Sequence, residues 1–169
     1  MIDITRDQDV YVLRMVAEEN RFNPTMLDAF DAALSEVEAS DGPAAVVLTG
    51  EGKFFSNGLD LEWMMANAEQ GGPALVANGL QALYLRLVTF PVATVAAING
   101  HAFAGGGMLA LACDQRVMRT GRGFFCLPEV DINIPFTNGM SRPGQAKLTP
   151  TPAHEAGPTG PPVTPREAG

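Results

Sequence analysis

Positive charge is scarce in this sequence. Its 169 residues carry 11 Lys and Arg against 19 Asp and Glu, a formal net charge of −8 at pH 7. A nucleic-acid binder needs a basic surface to neutralise phosphates, so no nucleic-acid partner is expected. A small anionic ligand needs only a few local cations. Lys53, Arg21 and Arg86 are candidates, each expected first as a solvated surface charge. Long apolar runs are missing too, and without a stretch of about 20 apolar residues no membrane span is expected. The opening MIDITRDQDV is polar and acidic, unlike a signal or transit peptide. Cysteine is limited to Cys113 and Cys126, both in apolar surroundings without metal-ligand spacing. They are expected as buried free thiols in a reducing, cytoplasmic setting, with no metal site and no disulfide. The sequence also lacks a GxxxxGKS/T phosphate loop and GxGxxG spacing.

Apolar side chains are plentiful: 46% of residues are hydrophobic and 18% charged, as in a folded globular domain. Strand and helix patterns alternate. Val10 to Val16 reads as a strand, and Asn23-Pro24 then opens a helix with a capping side chain and a proline in the first turn. Met26, Leu27, Phe30, Leu34 and Val37 follow at helical spacing, and Asp41-Gly42-Pro43 ends the pattern. Ala44 to Thr49 reads as a buried parallel strand. Asp60 to Glu69 and Ala74 to Val88 read as helices separated by Gly71-Gly72-Pro73. Val92 to Ile98 is the next strand and Met108 to Cys113 a short apolar helix. Gln115 to Arg119 and Gly123 to Cys126 follow as short strands. Such alternation implies an α/β fold with a largely parallel sheet.

Two glycine-containing loops stand out: Phe54-Phe55-Ser56-Asn57-Gly58-Leu59-Asp60-Leu61, and Asn99-Gly100-His101-Ala102-Phe103-Ala104-Gly105-Gly106-Gly107-Met108. Each follows a strand and leads into a helix, at the carboxyl end of the sheet where open α/β folds bind ligands. Taken singly, either loop is a tight turn. Together they place free N–H groups at helix starts, and two such groups converging on one point make an oxyanion hole.

In order and spacing the two loops resemble the crotonase (enoyl-CoA hydratase/isomerase) family. FFSNGLDL is similar to its F-S/A-x-G-x-D-L/I pattern, PVATVAAINGHAFAGGGMLALACDQRV to its second glycine-loop segment, and FFCLPEVDINIP to the segment that follows. RFNPTML sits where the family often has a K/R-x-N-A/P-L/M segment near the adenine end of CoA. The resemblance runs from about Val10 to Met140. It implies a crotonase-like (ββα)n spiral core with largely parallel sheets and flanking helices. The implied ligand is an acyl-CoA thioester, with CoA as part of the substrate and no separate cofactor or metal. The backbone N–H groups of Leu59 and Gly106 are the implied oxyanion-hole donors, and Glu129 is the implied acid/base. The apolar neighbours of Glu129, namely Leu127, Val130, Ile132 and Ile134, are expected to desolvate it and raise its pKa. Asn23, Asn57, Gly58, Gly105, Gly107, Leu109 and Phe136 are the implied substrate-binding residues.

One departure from the family pattern discriminates between reactions. Enoyl-CoA hydratases resemble this chain but carry a second glutamate where Leu109 stands. Adding water calls for two groups, whereas one carboxylate can move a proton from C2 to C4. The expected reaction is therefore isomerisation of 3-enoyl-CoA to 2-enoyl-CoA in fatty-acid metabolism, with a hydratase as the alternative within the family. Asp60 is expected to cap its helix, Asp114 to make structural hydrogen bonds, Asp131 to be structural or on the rim, and His101 to pack. The Met64-Met65 pair near Trp63 is expected in the helix core first, with lining of an acyl pocket as the alternative.

Composition changes near Ser141. Residues 1–141 read as the core domain. Residues 142–169 hold seven prolines and almost no large apolar side chains, so that tail is expected to be disordered. The family resemblance implies further C-terminal helices and a homotrimer or hexamer. With those helices missing or altered, assembly is expected to weaken. The reading from a different class is an inactive crotonase-like fragment that binds CoA or an intact paralogue.

Overall fold

The computed structural model of the chain describes residues 1–127. Among them the strands are β1 (Ile2–Asp7), β2 (Val10–Met15), β3 (Ala45–Gly50), β4 (Phe54–Ser56), β5 (Ala93–Ile98), β6 (His101–Phe103), β7 (Gln115–Met118) and β8 (Phe125–Cys126). The α-helices are α1 (Pro24–Glu38), α2 (Leu61–Ala66), α3 (Gly72–Val88) and α4 (Gly105–Ala112), with a short 3-10 turn at Ala68–Gln70.

The strands form two sheets. One runs β1-β2-β3-β5-β7, with β1 antiparallel to β2 and every other pair parallel. The other is a short parallel sheet, β4-β6-β8. A repeat follows from this order. A strand in the large sheet leads directly into a short strand of the small one, as β3-β4, β5-β6 and β7-β8, and after the first two a helix returns the chain. This is the (ββα) spiral that the sequence motifs imply. It brings the loops leaving β4 and β6 to the same edge of the small sheet.

Helix α1 forms where the sequence says it should. The Asn23 side chain accepts the Met26 N–H at 3.1 Å, Pro24 occupies the first turn, and Met26, Phe30, Ala33, Leu34 and Val37 form the buried stripe. That stripe, the buried face of α3 (Val76, Leu80, Leu83, Tyr84, Leu87) and alternate residues of β2 and β3 make one core. All eight residues of α4 are buried, which suits a helix apolar all round. The starts of β5 and β7 are fastened by Asp114, whose Oδ2 accepts from Thr94 N and Oγ1 at 2.9 Å each. Thr94 Oγ1 in turn accepts the Asp114 N–H at 2.9 Å. That is the structural role expected of Asp114.

The structure extends the sequence reading in several places. β1 has no counterpart in it, because only Ile2 and Ile4 are half-buried and the rest of this edge strand is exposed. β4 and β6 lie within segments read as loops, since three residues are too few to show a period. The glycine triplet belongs to helix α4 rather than to the loop before it. α2 stops at Ala66, where the Asn67 side-chain amide donates to Trp63 O at 2.8 Å. Gly72-Pro73 opens α3 rather than only separating helices. In α2, Trp63 and Met64 pack against the core, whereas Met65 is 79% exposed, against expectation.

Candidate active site

The first glycine loop leaves β4 at Ser56 and reaches α2 through Asn57, Gly58, Leu59 and Asp60. Gly58 has φ +83°, a conformation that side chains with a β-carbon rarely adopt. Its N–H donates to Ser56 Oγ at 3.1 Å and its carbonyl accepts the Phe22 N–H at 2.7 Å. The Asp60 N–H donates to Phe22 O at 3.0 Å, so Phe22 and Leu59 lie side by side as in a parallel ladder. Asp60 caps α2 by accepting the Trp63 N–H at 3.0 Å. Its other oxygen accepts from Asn23 Nδ2 at 2.9 Å, which joins the starts of α1 and α2. Asn57 donates its backbone N–H to Glu19 O at 2.9 Å and its amide to Glu19 Oε2 at 2.7 Å. Those amide protons, and then Arg21, hold the Glu19 pKa below its usual 4.5.

The second loop leaves β6 at Phe103 and turns at Ala104, φ +47°, into α4. Tyr84 Oη donates to Gly105 O at 2.8 Å and steadies the first turn. The glycines allow close approach on three sides. A β-carbon on Gly106 would fall 2.5 Å from Ser56 O, and one on Gly107 would fall 2.8 Å from Leu127 Cδ2. One on Gly105 would meet only side-chain atoms of Leu80, Tyr84 and Phe22 at 3.0–3.3 Å.

The two loops touch. A β-carbon on Gly58 would fall 2.9 Å from Phe103 O, 3.0 Å from Ala104 Cβ and 3.2 Å from Gly105 N. Among the described residues, neither the Leu59 nor the Gly106 N–H has a hydrogen-bond acceptor. Gly106 lies in the first turn of α4, where N–H groups have no intrahelical partner. The loops are therefore backbone against backbone, with the Leu59 and Gly106 N–H groups among the donors left over. Leu109, one turn further along α4, is fully buried, as is Met108 beside it. Glu129, Phe136 and Asp131 lie outside the described residues, as does the 142–169 segment.

The candidate cations are engaged. Arg21 pairs with Glu19 at 2.6 Å, and Arg86 bridges Asp31 at 2.7 Å and Glu38 at 2.5 Å across α1 and α3. Lys53 Nζ lies 5.4 Å from the centre of the Phe54 ring. No cluster of three or more His, Cys, Asp or Glu residues able to hold a metal occurs among the described residues. No helix among them is long and apolar enough to cross a membrane.

His101 packs, as expected, half-buried among the rings of Phe54, Phe103 and Phe124 at centroid distances of 5.3, 5.0 and 5.6 Å. Its Nδ1 is buried with no partner among the described residues. Burial, then the charges of Lys53 and Arg122, hold its pKa below the usual 6.5. The fold thus binds fewer protons here than the unfolded chain. The stability that the neutral ring contributes is present above the unfolded pKa of 6.5 and is lost as pH falls through the lower folded value. Urea midpoints measured from pH 8 downward should decline through that window, and His101→Phe should flatten the decline. An identical slope in the variant would assign it to other groups.

Sequence reasoning missed the residues that hold the first loop from behind: Glu19, Asn20 and Asn99. They sit in turns, where no periodicity marks them. For Asn20 and Asn99 the one available signal was residue type, since asparagine bonds to nearby main chain and, as at Asn20, tolerates left-handed backbone.

Known proteins are similar to this chain in sequence and in fold. The family model described as enoyl-CoA hydratase/isomerase matches residues 6–169. The chain is 32% identical over 137 residues to enoyl-CoA delta isomerase 1, peroxisomal, of Arabidopsis thaliana, covering 79% of this chain and 56% of the relative. It is 46% identical over 101 residues to a putative enoyl-CoA hydratase of Thermus thermophilus, covering 59% of this chain and 40% of the relative. The chain thus spans roughly half the length of these curated relatives. The crystal structure of a probable enoyl-CoA hydratase of Mycobacterium tuberculosis superposes with a TM-score of 0.90 at 27% identity, covering 99% of this chain and 70% of that one. By motif, fold and family match alike, the chain belongs to the enoyl-CoA hydratase/isomerase, or crotonase, family.

Proposed function

We propose that this chain binds an acyl-CoA thioester and isomerises 3-enoyl-CoA to 2-enoyl-CoA. The N–H groups of Leu59 and Gly106 hold the enolate oxygen, and Glu129 carries the proton from C2 to C4. The observation that carries this reading is the (ββα) repeat. Leu59 lies three residues past the end of β4, Gly106 three past β6, and Glu129 three past β8. The three strands are parallel neighbours in one small sheet, so equal offsets favour a common edge. Leu127, two residues before Glu129 in sequence, packs against Gly107. A thioester carbonyl laid across the touching loops would meet two donors that have no other acceptor among the described residues. Proton loss next to that carbonyl puts negative charge on its oxygen, and preorganised donors stabilise it.

Asn23, Asn57, Gly58, Gly105, Gly107 and Phe136 complete the proposed substrate site. Asn23 and Asn57 act there chiefly by fixing the loop, since their side-chain amides donate to Asp60 and Glu19. The buried Leu109 supports isomerisation over hydration, because it offers no second carboxylate. The Thermus relative's name favours the hydratase as the second reading. The burial of Cys113 and Cys126 suits a reducing, cytoplasmic setting.

The test is turnover of a 3-enoyl-CoA by the full chain, followed by the absorbance of the conjugated thioester, beside water addition to a 2-enoyl-CoA. Isomerisation well above hydration is expected. Hydration as the faster reaction would replace the first reading by the second. Neither reaction from folded protein would favour an inactive fragment that binds CoA.

A further inference from the structure

We infer that Asn20 is a positioning residue for the first glycine loop, acting through the Ser56 hydroxyl on the peptide that leads to the Leu59 N–H. This deepens the proposed function and rests on it for the catalytic consequence only.

Asn20 lies in the turn between β2 and α1, far in sequence from the loop it serves. It is fully buried and sits at φ +52°, one of few non-glycine residues in the left-handed region. Such a conformation costs energy and persists only where surrounding contacts over-determine it. Here they do. Its N–H donates to Ala17 O at 2.6 Å, and its Oδ1 accepts the Ala17 N–H at 2.9 Å. Its Nδ2 donates to Phe55 O at 3.1 Å and to Phe54 O at 3.3 Å. Its own carbonyl accepts the Ser56 hydroxyl at 2.7 Å, and Ser56 Oγ accepts the Gly58 N–H at 3.1 Å.

The contacts form a directed chain. The left-handed turn aims the Asn20 carbonyl at Ser56. Donating to that carbonyl fixes the Ser56 hydroxyl with its lone pairs toward Gly58, and the Gly58 N–H is held in turn. The next peptide along carries the Leu59 N–H. The same side chain clamps β4 from the other end, at Phe54 O, which also accepts from Asn99 Nδ2 at 3.3 Å. Asn99 lies just before β6 and accepts the Gly50 N–H at 2.9 Å, so two asparagines fasten the strands that enter both glycine loops. A general packing role does not require this arrangement, because an apolar side chain would fill the same volume. The Asn20 amide supplies two donors for two adjacent carbonyls without burying a charge.

The variants are Asn20→Asp, which keeps the shape and the Ala17 acceptor but loses both donors, and Ser56→Ala. The second cuts the relay at its last bond without disturbing the buried amide, and serves if the first fails to fold. Two readouts are taken on the full chain: amide hydrogen exchange at Gly58 and Leu59, and kcat and KM for a 3-enoyl-CoA. Exchange at Gly58 should accelerate about five- to tenfold, the worth of one hydrogen bond. The kcat should fall by about tenfold or more, as expected of a misplaced catalytic group, while KM stays within about twofold. Unchanged exchange in a folded variant would overturn the relay whatever the kinetics. So would losses of kcat that merely track the folded fraction. Faster exchange in a protein whose wild type turns nothing over would leave Asn20 as the residue that orients this loop and sink the enoyl-CoA reading instead.

Discussion

Replacing Glu129 with glutamine is expected to lower kcat for a 3-enoyl-CoA by about 10²–10⁴-fold, the usual worth of a positioned general acid/base. Under the proposed mechanism one carboxylate makes two proton transfers, removal at C2 and return at C4. Glutamine matches it in size but cannot accept the proton. The Leu59 and Gly106 donors and the CoA contacts stay intact, so binding of an unreactive acyl-CoA should change little. This split between turnover and affinity is the useful part of the experiment. A variant within about threefold of wild type would remove Glu129 from the mechanism, leaving the family assignment untouched. A variant that lost affinity as well as turnover would place Glu129 in binding or folding.

Gly106→Ala should be nearly as damaging, for a steric reason. The added methyl would fall 2.5 Å from Ser56 O and 2.7 Å from Ser56 Cβ. The carbonyl belongs to β4 and cannot rotate away, so the start of α4 must shift. Such overpacking typically costs about 1–3 kcal/mol of stability. Shifting the Gly106 N–H off its target should cost about 10²–10³ in kcat, the range for loss of one oxyanion-hole donor. Gly79→Ala, in α3 and outside the proposed site, is the control. Its methyl would fall 2.7 Å from Leu27 Cδ1, the end of a side chain that can adjust. Denaturant midpoints and kcat measured on both variants separate the two costs. Equal activity losses at Gly79 and Gly106 would argue that general packing, not the placement of one N–H, limits turnover.

Much of the architecture was legible in the chain itself. The α1 stripe, its Asn23 cap, the strands β2, β3 and β5, and the apolar α4 carry strong periodic or compositional signals. The two glycine loops were legible because their residues serve local ends: positive φ at Gly58 and helix entry at Gly106. The short strands β4, β6 and β8 were not legible as a sheet. Two or three residues hold no period, and their partners lie some 20 to 50 residues away in the chain. The edge strand β1 escaped because one side of it is open to solvent and its apolar content is two isoleucines.

What the sequence determined by itself is therefore the family, the order of the helices and of strands β2, β3, β5 and β7, and the candidate residues Leu59, Gly106 and Glu129. Motif spacing and residue type are local properties, written along the chain. Only the tertiary structure decided that Gly58 lies against Phe103, Ala104 and Gly105, that Gly106 lies against Ser56, and that Asn20 and Asn99 hold Phe54 between them. Those contacts join segments distant in sequence through backbone carbonyls and amides, which every residue possesses. No pattern of side chains encodes them. They follow from the pairing of β4 with β6, and that pairing exists only once the core has brought the repeats together.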